Sequence, residues 1–363
     1  MPKTFSEFVD AGRRIALHGP TMGTRWSVTV DGPLAADMEP LSAALAAAVR
    51  RVDEQMSPWK ADSDLTRLNR ATTGAWVDLP EEIVTVLARA LEIARLSDGA
   101  FDPTVGALVE AWGFGKSRDV PDAAAIRAAR SAPATTHACV DLDVPARRAR
   151  KEAAVQLDLC GIAKGYAVDL MTTVLREHGV RNALVALDGE LRALGPQADG
   201  AAWPVAVESP EPGRRAAHGV IELQDLAVGT SGDYRRFLRL GDARVAHSMD
   251  ARRAAPVNNA VASVTVLAPD CMDADAWATA LLVAGPDDGM ALARRQGLEA
   301  LFLLRHDGGW TERGLGRFAD GEGRVDAGSP VNGTFSADPR AWEYYFSDCE
   351  GLRQVTGATR QDA

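Results

Sequence analysis

The order in which two hydrophobic periodicities appear constrains this fold more than any single residue does. After one early strand-like run, "RWSVTVDG", helical spacing comes first. "EPLSAALAAAVRRVDEQM" and "PEEIVTVLARALEIARLSDG" carry apolar residues on one helical face. The second opens on Pro and acids and closes near Gly, as helices do. Between them, "SDLTRLN" offers Ser63 as the N-cap of a short helix. Strand-like runs come later: "NALVAL", "PVAVES", "GVIELQ", "LAVGTSGDY", "RVAHSM", "NAVASVTVLAP" and "LEALFLL". A helix from about Ala163 to His178 precedes them, and "CMDADAWATALLVAG" and "PDDGMALARRQG" interrupt them. A regular βαβ winding would alternate the two periods throughout. Their segregation predicts α+β, with a largely antiparallel sheet core flanked by helices.

Composition narrows the function classes. The 363 residues are enough for one large domain or two ordinary ones. A net charge of −10 disfavours nonspecific binding to nucleic acid or anionic membrane. Cys139, Cys160, Cys271 and Cys349 stand far apart, so they predict reduced, buried thiols and neither a zinc site nor a disulfide framework. "MPKTFSEFVDAGRRIALHG" lacks the apolar run of an export signal, which predicts a soluble, cytoplasmic protein as written, or a periplasmic one if a signal was removed. Beyond Arg305 the chain turns Gly-rich and charged, and reads as an irregular extension over 306–363 with one helix in "DPRAWEYYFSDCEGLRQV".

Several segments carry groups suited to chemistry. In "DADAWATA", Asp275 and Thr279 are four apart and share a helix face. A carboxylate and a hydroxyl are hard oxygen donors that suit Mg²⁺. On this octet alone, a helix start with a solvated Asp275 explains the residues better. "LDLCGIAKGYAVD" ends a strand-like run at Asp158, then turns through Gly161 and Gly165 into a helix with Lys164 near its start. Backbone N–H groups at such a turn can approach an anion, although the GxxxxGK[ST] frame is missing. "HSMDARRAAP" supplies His247, Asp250 and Arg252, and a histidine near phosphate chemistry can act as a general base. "GTSGDYRRF" reads as a polar loop or a tight hairpin. Trp59, Phe101, Trp112 and Phe114 sit in loop-like contexts and can stack on a planar ring or fill a core.

Taken in order, "TMGTRWSV", "SPWKADSDLTRLN", "DGAFDPTVG", "LDLCGIAKGYAVD", "GTSGDYRRF", "HSMDARRAAPV" and "ASVTVLAPDCMDADAWATALLVAG" resemble the ApbE family of FAD:protein FMN transferases. The resemblance covers residues 21–305, with 1–20 as a lead. It implies two subdomains with FAD in the cleft between them. It also implies an enzyme that uses Mg²⁺, cleaves the FAD pyrophosphate, releases AMP and links FMN to a Thr or Ser hydroxyl of an acceptor protein. By position, Met22, Trp59, Ala100, Phe101, Asp102, Asp158, Lys164 and Met249 would contact FAD. Asp275, Thr279 and the Gly161 carbonyl would hold the metal. His247 occupies the family's functional histidine, and His247 or Asp250 would take the hydroxyl proton, with His247 preferred. The alternatives are an FAD pyrophosphatase yielding FMN and AMP, and a non-catalytic FAD-binding protein.

This chain also departs from the family pattern. Cys160 stands where the family has Gly, "DARRAAP" replaces a DPRTG-like run, and Asp188-Gly189 replaces a double glycine. Near the C-terminus, "VTGAT" matches half of an acceptor motif, which makes Thr359 a candidate self-acceptor; coincidence in a Gly/Ala/Thr-bearing terminus is the competing explanation.

Overall fold

The computed structural model describes residues 9–10, 14–32, 38–116, 120–130, 136–211, 216–240, 243–306, 309–319 and 324–325. Its core is a ten-stranded sheet in which every neighbouring pair is antiparallel. Across the sheet the strands run Val9–Asp10, Arg14–Thr21, Thr24–Asp31, Ala183–Leu187, Glu190–Leu194, Ala227–Gly232, Val261–Ala268, Glu299–His306, Gly309–Leu315 and Arg324–Val325. The α+β expectation therefore holds.

The helices are α1 (Met38–Met56), α2 (Asp64–Arg70), α3 (Glu81–Leu96), α4 (Gly106–Ala111), α5 (Ala123–Arg130), α6 (Ala163–Glu177), α7 (Cys271–Ala284) and α8 (Pro286–Gln296). Ser63 caps α2 as its sequence predicts, its hydroxyl accepting the Thr66 N–H at 3.1 Å. Among the described residues no helix is long and apolar enough to cross a membrane.

Both faces of the central sheet are covered. Strand Val261–Ala268 is buried at all eight positions. Along Glu299–His306, Ala300, Phe302 and Leu304 face the helical layer, while Leu301 and Leu303 pack with Trp203, Val205 and Val207. Those last three belong to a two-stranded ribbon, Trp203–Glu208 with Ala217–Leu223. This double cover encloses "VASVTVLA" along its whole length, Ser263 and Thr265 included.

Strands of the central sheet run past both ends of the 21–305 segment. Residues 14–20, assigned to a lead, form a strand paired along Thr24–Asp31. Gly309–Leu315, assigned to an irregular extension, is a full strand beside Glu299–His306. Its periodicity was hidden because two of its enclosed positions are not apolar. Glu312 is buried against His218, and a side chain at Gly314 would overlap the Phe318 backbone. The helix expected in 338–355 and the candidate acceptor Thr359 lie outside the described residues.

Candidate active site

Three glycines let the chain build one end of the site. At Gly165 a methyl group would overlap the Cys271 carbonyl, so α6 and α7 cross there in backbone contact. At Gly229 a methyl would lie 2.6 Å from the Asp275 nitrogen, so α7 lies directly on the sheet. At Gly161 it would lie 3.2 Å from Thr279 Oγ1 and 3.3 Å from the Phe101 ring. The turn before α6, the start of α7 and the Phe101 loop therefore meet at one point.

Asp275 sits at that point and is only 3% exposed, which overturns the solvated reading. Its Oδ2 accepts the Gly165 N–H at 3.0 Å, and its Oδ1 accepts from no described residue. Burial pushes its carboxyl pKa up, against the pull of Lys164. One helical turn on, Thr279 Oγ1 shares a 2.9 Å hydrogen bond with Ser231 Oγ from the adjacent strand. Asp273, by contrast, pairs with Arg89 of α3 through bonds of 2.7 and 2.6 Å. Asp275, Thr279 and the Gly161 carbonyl are all hard oxygen donors, so this set fits Mg²⁺.

Lys164 projects from the first turn of α6 and bonds Glu190 Oε1 at 2.7 Å. Burial would lower its pKa, but the Glu190, Asp275 and Asp188 carboxylates outweigh burial and raise it. Glu190 is 1% exposed, and burial pushes its carboxyl pKa up against the pull of Lys164. Its Oε2 has no hydrogen-bond partner among the described residues.

His247 follows the hairpin Phe237–Leu240 with Ala243–Ala246. Its Nδ1 donates to the Arg236 carbonyl at 3.0 Å, which leaves the Nε2 lone pair as the acceptor. Burial, helped by the positive Arg236 and Lys164, holds its pKa at about 4, so the ring is neutral at pH 7. It meets Phe114 edge-on at 6.3 Å between centroids. Met249 packs with Phe114 and Leu108. Asp250 is committed elsewhere: Arg252 bonds both its oxygens, at 2.9 and 3.0 Å.

A cavity of about 190 Å³ is lined by Trp59 and by Asp158, which stands three residues before Gly161. Trp59 is 47% exposed, with the Arg236 guanidinium 6.0 Å from its ring. Asn69 lines the same cavity and clamps Leu157, accepting its N–H at 2.7 Å and donating to its carbonyl at 2.8 Å. Asp158 Oδ1 accepts the Cys160 N–H at 2.7 Å and so shapes the turn toward Gly161. Cys160 is exposed, contrary to the buried expectation for the cysteines. The surrounding protein and Asp158 push its thiol pKa well up, so it is no thiolate at neutral pH.

The remaining expected contacts lie on loops. Ala100 and Phe101 are buried beneath the turn. Asp102 spends Oδ1 on the Thr104 N–H and hydroxyl, and its Oδ2 faces His137 Nδ1 at 3.1 Å. Met22 occupies a hairpin tip with Gly23, at φ of 46° and 73°, and is partly buried against the main core. Both signs suit a type I′ turn, which for Met is uncommon backbone. Glu190, Ser231, Arg236 and Asn69 were missed from sequence. "GTSGDYRRF" had marked Ser231 and Arg236 only as part of a polar segment, and Asn69 stood only as the last residue of "SPWKADSDLTRLN".

Comparison with known proteins gives a consistent answer. The profile of the ApbE family matches residues 22–302. A FAD:protein FMN transferase of Vibrio cholerae is 34% identical over 303 residues, covering 82% of this chain and 90% of the relative. The flavin transferase ApbE structure from Vibrio cholerae superposes with a TM-score of 0.76 at 34% identity, covering 84% of this chain and 98% of the other. The apo Pseudomonas stutzeri flavinyl transferase ApbE superposes with a TM-score of 0.75 at 34% identity, covering 91% and 100%. The chain belongs to the ApbE family.

Proposed function

We propose that this protein transfers FMN from FAD to a Thr or Ser hydroxyl of an acceptor protein, releasing AMP. The observation that carries the reading is the meeting of the Gly161 turn with Thr279, beside Asp275 bonded to Gly165 and next to Lys164 in the chain. In the transfer, the acceptor oxygen forms a bond to the FMN phosphorus and the bond from that phosphorus to the AMP oxygen breaks. Mg²⁺, held by Asp275, Thr279 and the Gly161 carbonyl, would supply neutralisation of the pyrophosphate charge.

The chain's own groups do the rest. Lys164 presents a cation to phosphate oxygens from the start of α6. Trp59 offers an aromatic face to a planar ring. His247 is the better general base of the two expected ones. Its Nε2 is set as an acceptor by the Arg236 carbonyl, whereas Arg252 occupies both oxygens of Asp250. Asp250 then anchors the loop that follows His247.

The test incubates the protein with FAD, Mg²⁺ and an acceptor, then looks for a fluorescent acceptor band and for AMP. Wild type labels the acceptor, and His247→Asn slows labelling on the order of 10²-fold or more. FMN and AMP release without labelling would identify a pyrophosphatase instead; FAD binding without AMP would identify a non-catalytic binder. Because burial lowers the His247 pKa to about 4, neutral His247 persists as pH falls through 6.5 and is lost only near 4. The acid limb of kcat/KM is therefore expected near pH 4.

A further inference from the structure

Glu190 is a buried carboxylate with no place in the chemistry above. It follows the tight turn at Asp188 and Gly189, whose φ values are 52° and 109°. It is 1% exposed, one oxygen accepts from Lys164 Nζ at 2.7 Å, and the other has no hydrogen-bond partner among the described residues. Burying an oxygen without a donor is unfavourable, and apolar residues can often replace a buried ion pair without loss of stability. Packing alone does not account for this pair.

Lys164 does account for it. Its ammonium rides on a flexible stem, and the charges of Glu190, Asp275 and Asp188 all act on it. An ammonium drawn onto Asp275 Oδ1 would repel a divalent cation from the only carboxylate of the proposed metal set. The 2.7 Å bond to Glu190 prevents that movement.

We infer that Glu190 is a positioning residue: it holds Lys164 off Asp275 and so keeps Oδ1 of Asp275 open to a divalent cation. The inference rests on the proposed assignment of Asp275 as a metal ligand. It goes further in giving Glu190, which touches neither metal nor substrate, control over metal affinity.

The experiment titrates the protein with Mn²⁺ alone and reads free Mn²⁺ by electron paramagnetic resonance. Glu190→Met keeps the volume but removes the acceptor, and is expected to weaken Mn²⁺ binding about tenfold. Glu190→Ala is carried in parallel in case the Met variant does not fold. Glu190→Gln keeps an oxygen acceptor for Lys164 and should stay within about threefold of wild type. The decisive variant adds Lys164→Met to Glu190→Met: with no ammonium to stray, affinity returns toward the wild-type value. A merely structural role for Glu190 would not be rescued in this way. Unchanged affinity in Glu190→Met, a loss that persists in the double variant, or a wild type that binds no Mn²⁺ would each overturn the inference. No FAD or acceptor is present in the titration. Wild type that shows this pattern yet transfers no FMN would sink the transferase reading and leave the role of Glu190 standing.

Discussion

Helices α6 and α7 cap each other, each lending a carboxylate to the other's first turn. Asp169 of α6 accepts the Cys271 and Met272 N–H groups, both at 2.9 Å, and also binds Arg192. Asp275 of α7 accepts the Gly165 N–H and no other described hydrogen bond. Both satisfy orphan donors of a helix N-terminus, where negative charge is favoured. Asp270 precedes α7 but makes no side-chain cap, being drawn to Arg192 at 2.9 Å, so Asp169 does that work from the neighbouring helix. The two carboxylates differ in what is left over. Asp169 is filled by partners and holds structure together; Asp275 has one oxygen, Oδ1, that accepts no described hydrogen bond.

The sharpest separation is expected from Asp275→Asn, which keeps an acceptor for Gly165 but removes the charge. Flavin transfer should fall on the order of 10³-fold, the scale of a lost metal ligand. Stability should not fall with it. The fold raises the Asp275 pKa above its ordinary 3.8, so ionised Asp275 costs stability above that pH, and the cost disappears on acidification. The variant should therefore melt at or above the wild-type temperature at pH 7, with the gap closing toward pH 4. A variant that labels normally would remove Asp275 from the site.

Asp169→Ala should show the reverse. It strips two N–H groups and Arg192 of their acceptor, and should cost about 3 kcal/mol in a denaturant titration. The folded fraction should keep its transfer rate within about threefold, because among the described residues the Asp169 side chain bonds to Arg192 and the start of α7 alone. Loss of transfer at full stability would contradict the assignment of a purely structural role.

Gly165→Ala probes the crossing that joins the two caps. Its methyl has no room against the Cys271 backbone, and separating the helices should cost about 1–3 kcal/mol. Thermal melts and transfer rates should decline together, since both caps shift. Ser231→Ala is the mildest break. Losing one hydroxyl partner of Thr279 should cost about 1 kcal/mol or less in stability, with a few-fold rise in the Mg²⁺ needed for half-maximal rate.

Much of this arrangement was legible one segment at a time. Spacing alone placed Asp275 and Thr279 on one face of α7, and put Lys164 just inside α6 after a glycine turn. The periodicities marked the helices and most strands. Gly309–Leu315 escaped because its enclosed face is built from Glu312 and Gly314, which carry no apolar signal. Glu190 escaped because the sequence drew attention only to Asp188-Gly189 before it, where a double glycine was expected. Nothing local says that this carboxylate is buried or that Lys164 is its partner.

By itself, then, the sequence determined the periods, the helix starts, the glycine positions and the i, i+4 pair, because those depend on neighbours within a few residues. Tertiary structure alone decided which carboxylates are filled and which are open. Asp169 meets its partners 102 residues away at Cys271, and Asp275 meets Gly165 across 110. Whether a buried charge is satisfied depends on the donors that packing brings to it. For Asp275 and Glu190 packing supplied too few, and both border the proposed metal site.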